Sequence, residues 1–234
     1  VTAPLPCPYL EGRTERRLVV ELNGRDSSSL HDTLSRIGFR RSHRLVYSPV
    51  CPGCQACQAV RTVVSEFTPS TSHRRVLRAN EDLQFCEASP RATSEQYDLF
   101  SAYQSVRHHG SDMATMDFYD YQALVEETPV DSWVVEFRTR KGRLVACCLT
   151  DQMRDGLSAV YSFYDPAVPR RSFGTYMILW LIERARELGL PYVYLGYWIG
   201  GSSKMSYKER FQPLEHYTED GWKTFSDEQI TLNS

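Results

Sequence analysis

The stretch Gly156–Phe211, GLSAVYSFYDPAVPRRSFGTYMILWLIERARELGLPYVYLGYWIGGSSKMSYKERF, decides the fold. Ser158 to Tyr164 is β-branched and aromatic, which suits a strand, and Asp165-Pro166 ends it because proline cannot donate to a ladder. Ser172 stands at the N-cap of a predicted helix whose apolar residues Ile178, Leu181, Ile182 and Ala185 recur at helical spacing. Gly189 and Pro191 stop that helix, and Tyr192 to Ile199 is apolar almost throughout, as a strand buried on both faces must be. A basic, aromatic helix follows to Phe211. An arginine-bearing turn that feeds a helix N-terminus between two strand ends is an anion site beside a crevice.

Working outward, the meander Trp133–Thr139, Leu144–Met153 and Ser158–Tyr164 turns at Lys141-Gly142 and Asp155-Gly156. Two helices precede it: one opened by a Thr93/Gln96 capping box and reaching about His108, the other capped by Asp117 and running to about Glu127. Ahead of Ser89-Pro90 the reading is strand 17–22, helix 27–37, an arginine-studded strand 39–47, a cysteine-bearing turn, strand 60–67, helix 70–80 and strand 83–88. The expected organisation is α+β: a smaller domain over residues 1–90 for substrate recognition, then a catalytic domain over 91–234. From residue 91 the order α α β β β α β α matches the acyl-CoA N-acyltransferase (GNAT) architecture.

The 24% of charged residues is that of an ordinary soluble protein, and with no apolar run of membrane-spanning length and no apolar signal core the expected location is cytoplasmic, with no membrane partner. The net charge of −2 argues against a general nucleic-acid binder, but its distribution is uneven. Residues 1–80 hold twelve Arg, no Lys and six carboxylates, a balance of +6 that leaves −8 for the remainder. Arginine without lysine suits recognition of carboxylate or phosphate, where a planar fork outperforms a point charge. Solvated surface arginines explain the same numbers. Seven cysteines is an odd count, which fits a reducing compartment better than a disulfide framework. Cys86 and the Cys147-Cys148 pair read as small buried hydrophobes. Cys51, Cys54 and Cys57, with Cys7 as a fourth, have the look of a zinc or iron–sulfur set, although a reduced cluster without a cofactor is favoured.

A coenzyme A site of the R-x-x-G-x-G/A type needs a small last residue so that the backbone can approach the phosphates. The segment Arg171-Ser172-Phe173-Gly174-Thr175-Tyr176 ends in tyrosine instead, which disfavours a coenzyme A-dependent N-acetyltransferase.

Four C-terminal segments, Tyr161–Pro166, Ser172–Tyr176, Tyr194–Ile199 and Lys204–Pro213, resemble the aminoacyl-tRNA–protein transferases. These include eukaryotic arginyltransferases and bacterial aspartate/glutamate leucyltransferases. Cys7-Pro8-Tyr9-Leu10, the run from Tyr47 to Arg61 and Ser72-x-Arg74-Arg75 resemble N-terminal motifs of the bacterial branch, Arg107-His108-x-Gly110-x-x-Met113 falls between, and the likeness spans about residues 7–215. Ser202 stands where bacterial members often carry cysteine, and Phe173 replaces their leucine.

The resemblance implies transfer of an amino acid, leucine in the bacterial branch, from aminoacyl-tRNA to the N-terminal amine of proteins beginning with Asp or Glu. The product is an N-degron, and no cofactor is needed. An α-amine of pKa about 8 is partly neutral in the cell, so positioning, worth about 7–11 kcal/mol at best, can carry most of the reaction. Tyr164, Asp165 and Tyr207 are expected to position groups or move protons. Arg61, His73, Arg74, Arg75 and Arg78 are expected to bind the acidic N-terminal residue. Arg170, Arg171, Ser172, Gly174, Lys204, Lys208 and Arg210 are expected to grip the tRNA acceptor end, with Tyr194, Tyr197 or Trp198 stacking its terminal adenosine. Arginine transfer to the same acceptors and a non-enzymatic zinc-dependent RNA or degron binder remain the rival readings.

Overall fold

The runs rich in Val, Ile, Tyr and Phe form strands and the 3.6-periodic runs form helices. The computed structural model describes residues 1–107, 112–202 and 204–225. In chain order the elements are β1 (Leu5–Pro6), β2 (Thr14–Glu15), β3 (Arg17–Glu21), α1 (Ser27–Arg36), β4 (Arg40–Ser42), β5 (Leu45–Pro49), β6 (Cys57–Val63) and α2 (Thr71–Ala79). Then come β7 (Gln84–Ala88), α3 (Ser94–Arg107), α4 (Phe118–Glu126), β8 (Ser132–Arg138), β9 (Leu144–Met153), β10 (Gly156–Tyr164), α5 (Phe173–Glu187) and β11 (Tyr192–Ile199). The 3-10 turn Ser206–Arg210, β12 (Leu214–Thr218) and β13 (Gly221–Thr224) complete the order.

Eight strands make one sheet in the order β13-β12-β6-β11-β10-β9-β8-β7, and β3, β5 and β4 make a smaller one. Among the described residues of the large sheet only β10 and β11 run parallel, joined by the crossover through α5. Alternation along β8 sends Val135 and Phe137 to one face, where α5 and the apolar side of α2 (Val76, Leu77) cover them. Val134 points to the other face, under Phe100 and Tyr103 of α3 and Tyr121 of α4. The small sheet docks on that second face: Arg40 of β4 donates to Ser158 of β10, whose neighbour Leu157 belongs to the first.

Several expectations change. The strand expected over 39–47 is a hairpin, β4 and β5, turning at His43, whose φ is 54°. The strand expected over 60–67 starts earlier, at Cys57. Strands β6 and β7 lie before Ser89-Pro90 yet belong to the large sheet, so the expected boundary falls inside that sheet. A boundary read from turn residues is blind to long-range pairing: β6 finds its partners at Tyr192–Ile199 and Leu214–His216. Ser172 occupies the α5 N-cap but adopts a left-handed conformation, φ 49°, and its side chain caps nothing. The Thr93/Gln96 and Asp117/Asp120 capping boxes form. Cys147 and Cys148 are buried, whereas Cys86 is exposed because β7 is the edge strand. The basic helix expected before Phe211 is a single 3-10 turn.

Candidate active site

The parallel register of β10 and β11 covers only Gly156–Ser158 against Tyr192–Tyr194. Beyond it both strands carry irregularities, at Ala159/Tyr161 and Tyr194/Gly196, and β11 turns its pairing to β6. Two parallel strands that part company leave unpaired backbone groups at the gap, and those groups need partners. Arg40 supplies one side: Nη2 donates to the Ala159 carbonyl at 2.6 Å and Nη1 to Ser158 Oγ at 3.1 Å. Gly196 makes room for it. Its φ is +82°, and a Cβ there would lie 2.9 Å from the Arg40 guanidinium carbon.

On the other side Lys208, only 5% exposed, donates from Nζ to the Tyr197 carbonyl, with Met205 Sδ at 3.4 Å. Burial, helped by the charge of Arg40, pulls its amine down to about 7. It cannot serve as the exposed phosphate contact expected of it. Neighbouring Tyr207 is 38% exposed, and burial with the nearby Tyr103 and Tyr164 pushes its hydroxyl up to about 12. At neutral pH it is a hydrogen-bond donor and not a base. Tyr164, at the end of β10, meets Tyr103 edge-on with ring centroids 4.8 Å apart, and its hydroxyl accepts from Arg107 Nη2 at 3.2 Å. Gly174 lies against Tyr164: a Cβ there would come within 3.3 Å of the ring, so its smallness serves packing. Gln104 of α3 donates to the Tyr161 hydroxyl at 2.6 Å, while its buried Oε1 has no partner among the described residues. Arg40, Lys208, Tyr207, Tyr103, Tyr164, Gln104 and Arg107 thus converge around the gap. His108 and Gly110 lie outside the described residues.

The other expected site residues are placed as follows. Asp165 is committed to its turn, pairing with Arg143 and accepting from the Ala167 amide at 2.9 Å. Arg61 is buried beneath Tyr192 and Trp222, 3.4 and 4.2 Å from their ring centres, and pairs with Glu215 at 2.7 Å. It is a structural cation and not an open one. His73 closes the α2 capping box with Ser70 and stacks on Phe211 at 5.1 Å, with burial lowering its pKa. Arg74, Arg75 and Arg78 are exposed on α2, which packs on the α5 face of the sheet, away from Arg40. Exposed Arg170 stands at one end of α2, beside Arg171, which pairs with Asp82 at 2.7 Å; exposed Arg210 acts on His73 at the other end. Lys204 is exposed too. Three aromatics expected to stack a base are otherwise engaged. The Tyr194 hydroxyl bridges Arg61 and Asp155, the Tyr197 hydroxyl lies against the Gly38 and Tyr47 carbonyls, and Trp198 Nε1 donates to Glu209 at 2.8 Å. Tyr176, the bulky residue of the turn motif, is packed against Phe137 at 5.5 Å.

The thiols of Cys7, Cys51 and Cys54 lie close enough to Cys57 to act on it, and with burial they push its thiol up to about 12. Among the described residues no three His, Cys, Asp or Glu are arranged to hold a metal ion. Among the described residues no helix is long and apolar enough to cross a membrane.

Sequence reasoning missed Arg40, Tyr103 and Gln104. Arg40 was one arginine in a studded strand, and only the parting of β10 and β11 distinguishes it.

The solved structure of FemX shares this fold at a TM-score of 0.51 and 8% identity, over 84% of this chain and 68% of that one. Two family models match in order: "Arginine-tRNA-protein transferase, N terminus" over residues 5–75 and "Arginine-tRNA-protein transferase, C terminus" over 95–218. A relative from Paramagnetospirillum magneticum, named aspartate/glutamate leucyltransferase, is 57% identical over 96% of this chain and 92% of its own length. One of the same name from Rhodospirillum rubrum is 52% identical over 97% and 92%. Fold, site and relatives together define an aminoacyltransferase, an enzyme whose co-substrate is aminoacyl-tRNA. Within that class, the chain belongs to the arginine-tRNA-protein transferase family.

Proposed function

We propose that the protein transfers leucine from Leu-tRNA to the N-terminal α-amine of proteins that begin with Asp or Glu, marking them for proteolysis. The observation that carries this reading is the near full-length identity to relatives bearing that name. In the reaction the neutral α-amine attacks the ester carbonyl carbon. The new C–N bond forms, the C–O bond to the terminal ribose breaks, and the amine proton passes to the departing ribose oxygen. No oxidant or metal is required for that balance.

The gap between β10 and β11 suits the chemistry. Tyr207 is held protonated and Tyr164 is fixed by Arg107, so both offer hydroxyls to the ester or ribose oxygens. Asp165 is spent on Arg143 and takes no part in proton transfer. The exposed arginines of α2, with Arg170, Arg210 and Lys204, belong to the tRNA phosphates rather than to the acidic acceptor. Residues before the Cys57 strand, with α1 and the small sheet, serve the acceptor side.

The arginine named in the family models makes arginine transfer the alternative to exclude. The test offers a peptide starting with Asp or Glu together with labelled Leu-tRNA, Arg-tRNA or acetyl-CoA. Label should enter the peptide only from Leu-tRNA; incorporation from Arg-tRNA or acetyl-CoA in its place overturns the assignment.

A further inference from the structure

Two basic side chains converge on adjoining residues of β11, and among the described residues neither has a carboxylate partner. Arg40 lies against Gly196, and Lys208 donates to the carbonyl of the next residue, Tyr197. Among the described residues neither makes an ion pair. Arg40 bonds only to a hydroxyl and a carbonyl, and Lys208 only to a carbonyl and a thioether. By contrast Arg36, Arg41 and Arg61, from the same part of the chain, each meet a carboxylate within 3.0 Å. Burying a cation without a counter-ion is costly, and bringing a second one beside it adds repulsion. Two such groups kept without a counter-ion where β10 and β11 part have the chemistry an anion would satisfy. The left-handed glycine beneath the guanidinium preserves its space, and Arg40 is itself only half-buried, so a ligand can reach it.

We propose that Arg40 and Lys208 together hold the side-chain carboxylate of the acceptor's N-terminal Asp or Glu. The inference rests on the acceptor chemistry proposed above and adds the residues that select it. A guanidinium fork and an ammonium supply charged donors to both carboxylate oxygens, with the Tyr103, Tyr164 and Tyr207 side chains nearby. An amide in the same place presents its NH2 to two cations and is rejected. With the carboxylate anchored beside Tyr197, the acceptor's α-amine comes to the hydroxyls of Tyr164 and Tyr207. The depressed basicity of Lys208 accords with a site awaiting an anion.

The test compares acceptor peptides that start with Asp or with isosteric Asn, at saturating Leu-tRNA. Lys208→Met keeps the volume and removes a buried charge, a change that folds tolerate. Lys208→Met and Arg40→Gln should each raise KM for the Asp peptide by about 10- to 100-fold and shrink the Asp-to-Asn preference by a similar factor. Leu-tRNA affinity, measured by filter binding, should stay within about twofold. Arg40→Lys should restore much of the preference. A folded Lys208→Met variant with an unchanged Asp-to-Asn ratio overturns the proposal. So does a defect that appears in Leu-tRNA affinity instead of acceptor KM, which would mark the pair as a phosphate site. A wild-type enzyme without any preference for acidic acceptors refutes the proposed function itself, a result read before any variant is made.

Discussion

Replacing Asp151 with Asn should unlatch the small sheet from the large one. Asp151 of β9 is fully buried, and Arg41 of β4 grips both its oxygens, Nε at 2.6 Å and Nη2 at 2.7 Å. Ser132 Oγ adds a third donor at 2.6 Å, and His31 Nε2 lies 3.6 Å away. Asparagine matches the shape but turns an NH2 group toward one of these donors and leaves a guanidinium buried without its counter-charge. Removing one partner of a buried pair costs about 3–5 kcal/mol, and because asparagine keeps one acceptor the lower end applies. For a chain of this size about 3 kcal/mol corresponds to a Tm lower by about 6–12 °C. Urea unfolding should show a reduced midpoint with an unchanged slope. Because Arg40 is the next residue of the same strand, KM for Asp-starting peptides should rise as well. The double variant Arg41→Met/Asp151→Leu should recover much of the stability, since an apolar pair replaces an ionic one of similar volume. A destabilisation below about 1 kcal/mol, or a double variant less stable than the single, would refute the reasoning.

Gly196→Ala should cost about 1–3 kcal/mol through its left-handed backbone and displace Arg40, lowering kcat/KM for acidic acceptors more than for Asn-starting ones. Replacing Arg75 and Arg78 with Ala should leave the Tm within about 2 °C and make the salt dependence of Leu-tRNA binding shallower, by about 0.7–0.9 in slope for each phosphate no longer neutralised; an unchanged slope would remove α2 from the RNA surface. Lys208 titrates near 7 in the fold and near 10.5 when unfolded, so between those values the unfolded chain binds more protons and stability rises with pH on this group's account. The stability gap between Lys208→Met and wild type should therefore be widest below pH 7 and narrow steadily toward pH 10; a constant gap would contradict the burial of that amine.

Local chemistry made most of the architecture legible. The α5 stripe, the all-apolar β11 and the capping boxes at Thr93 and Asp117 are written in residues a few positions apart. What escaped was long-range. Nothing within residues 57–63 announces partners at 192–199 and 214–216, so β6 read as part of a separate domain. The same limit governs the site. Arg61, Arg74 and Arg40 are indistinguishable as arginines. Burial under Tyr192, exposure on α2 and a place in the strand gap sort them into a structural cation, a solvated one and one bonded to the Ala159 carbonyl. Lys208 sits in an alternating basic and aromatic run that suggested solvent, and the 3-10 geometry turned it inward.

The insertion of β6 between β11 and β12 bears on how the polypeptide can be divided. A truncated piece starting near residue 91 would keep the crossover but expose three raw strand edges, on β11 and β12 facing an empty slot and on β8 where β7 is lost. Bare edges of that kind recruit neighbouring molecules and precipitate. Supplying residues 1–90 as a second polypeptide should rescue solubility by filling the slot, so the two halves behave as complementing fragments of one catalyst and not as interchangeable modules.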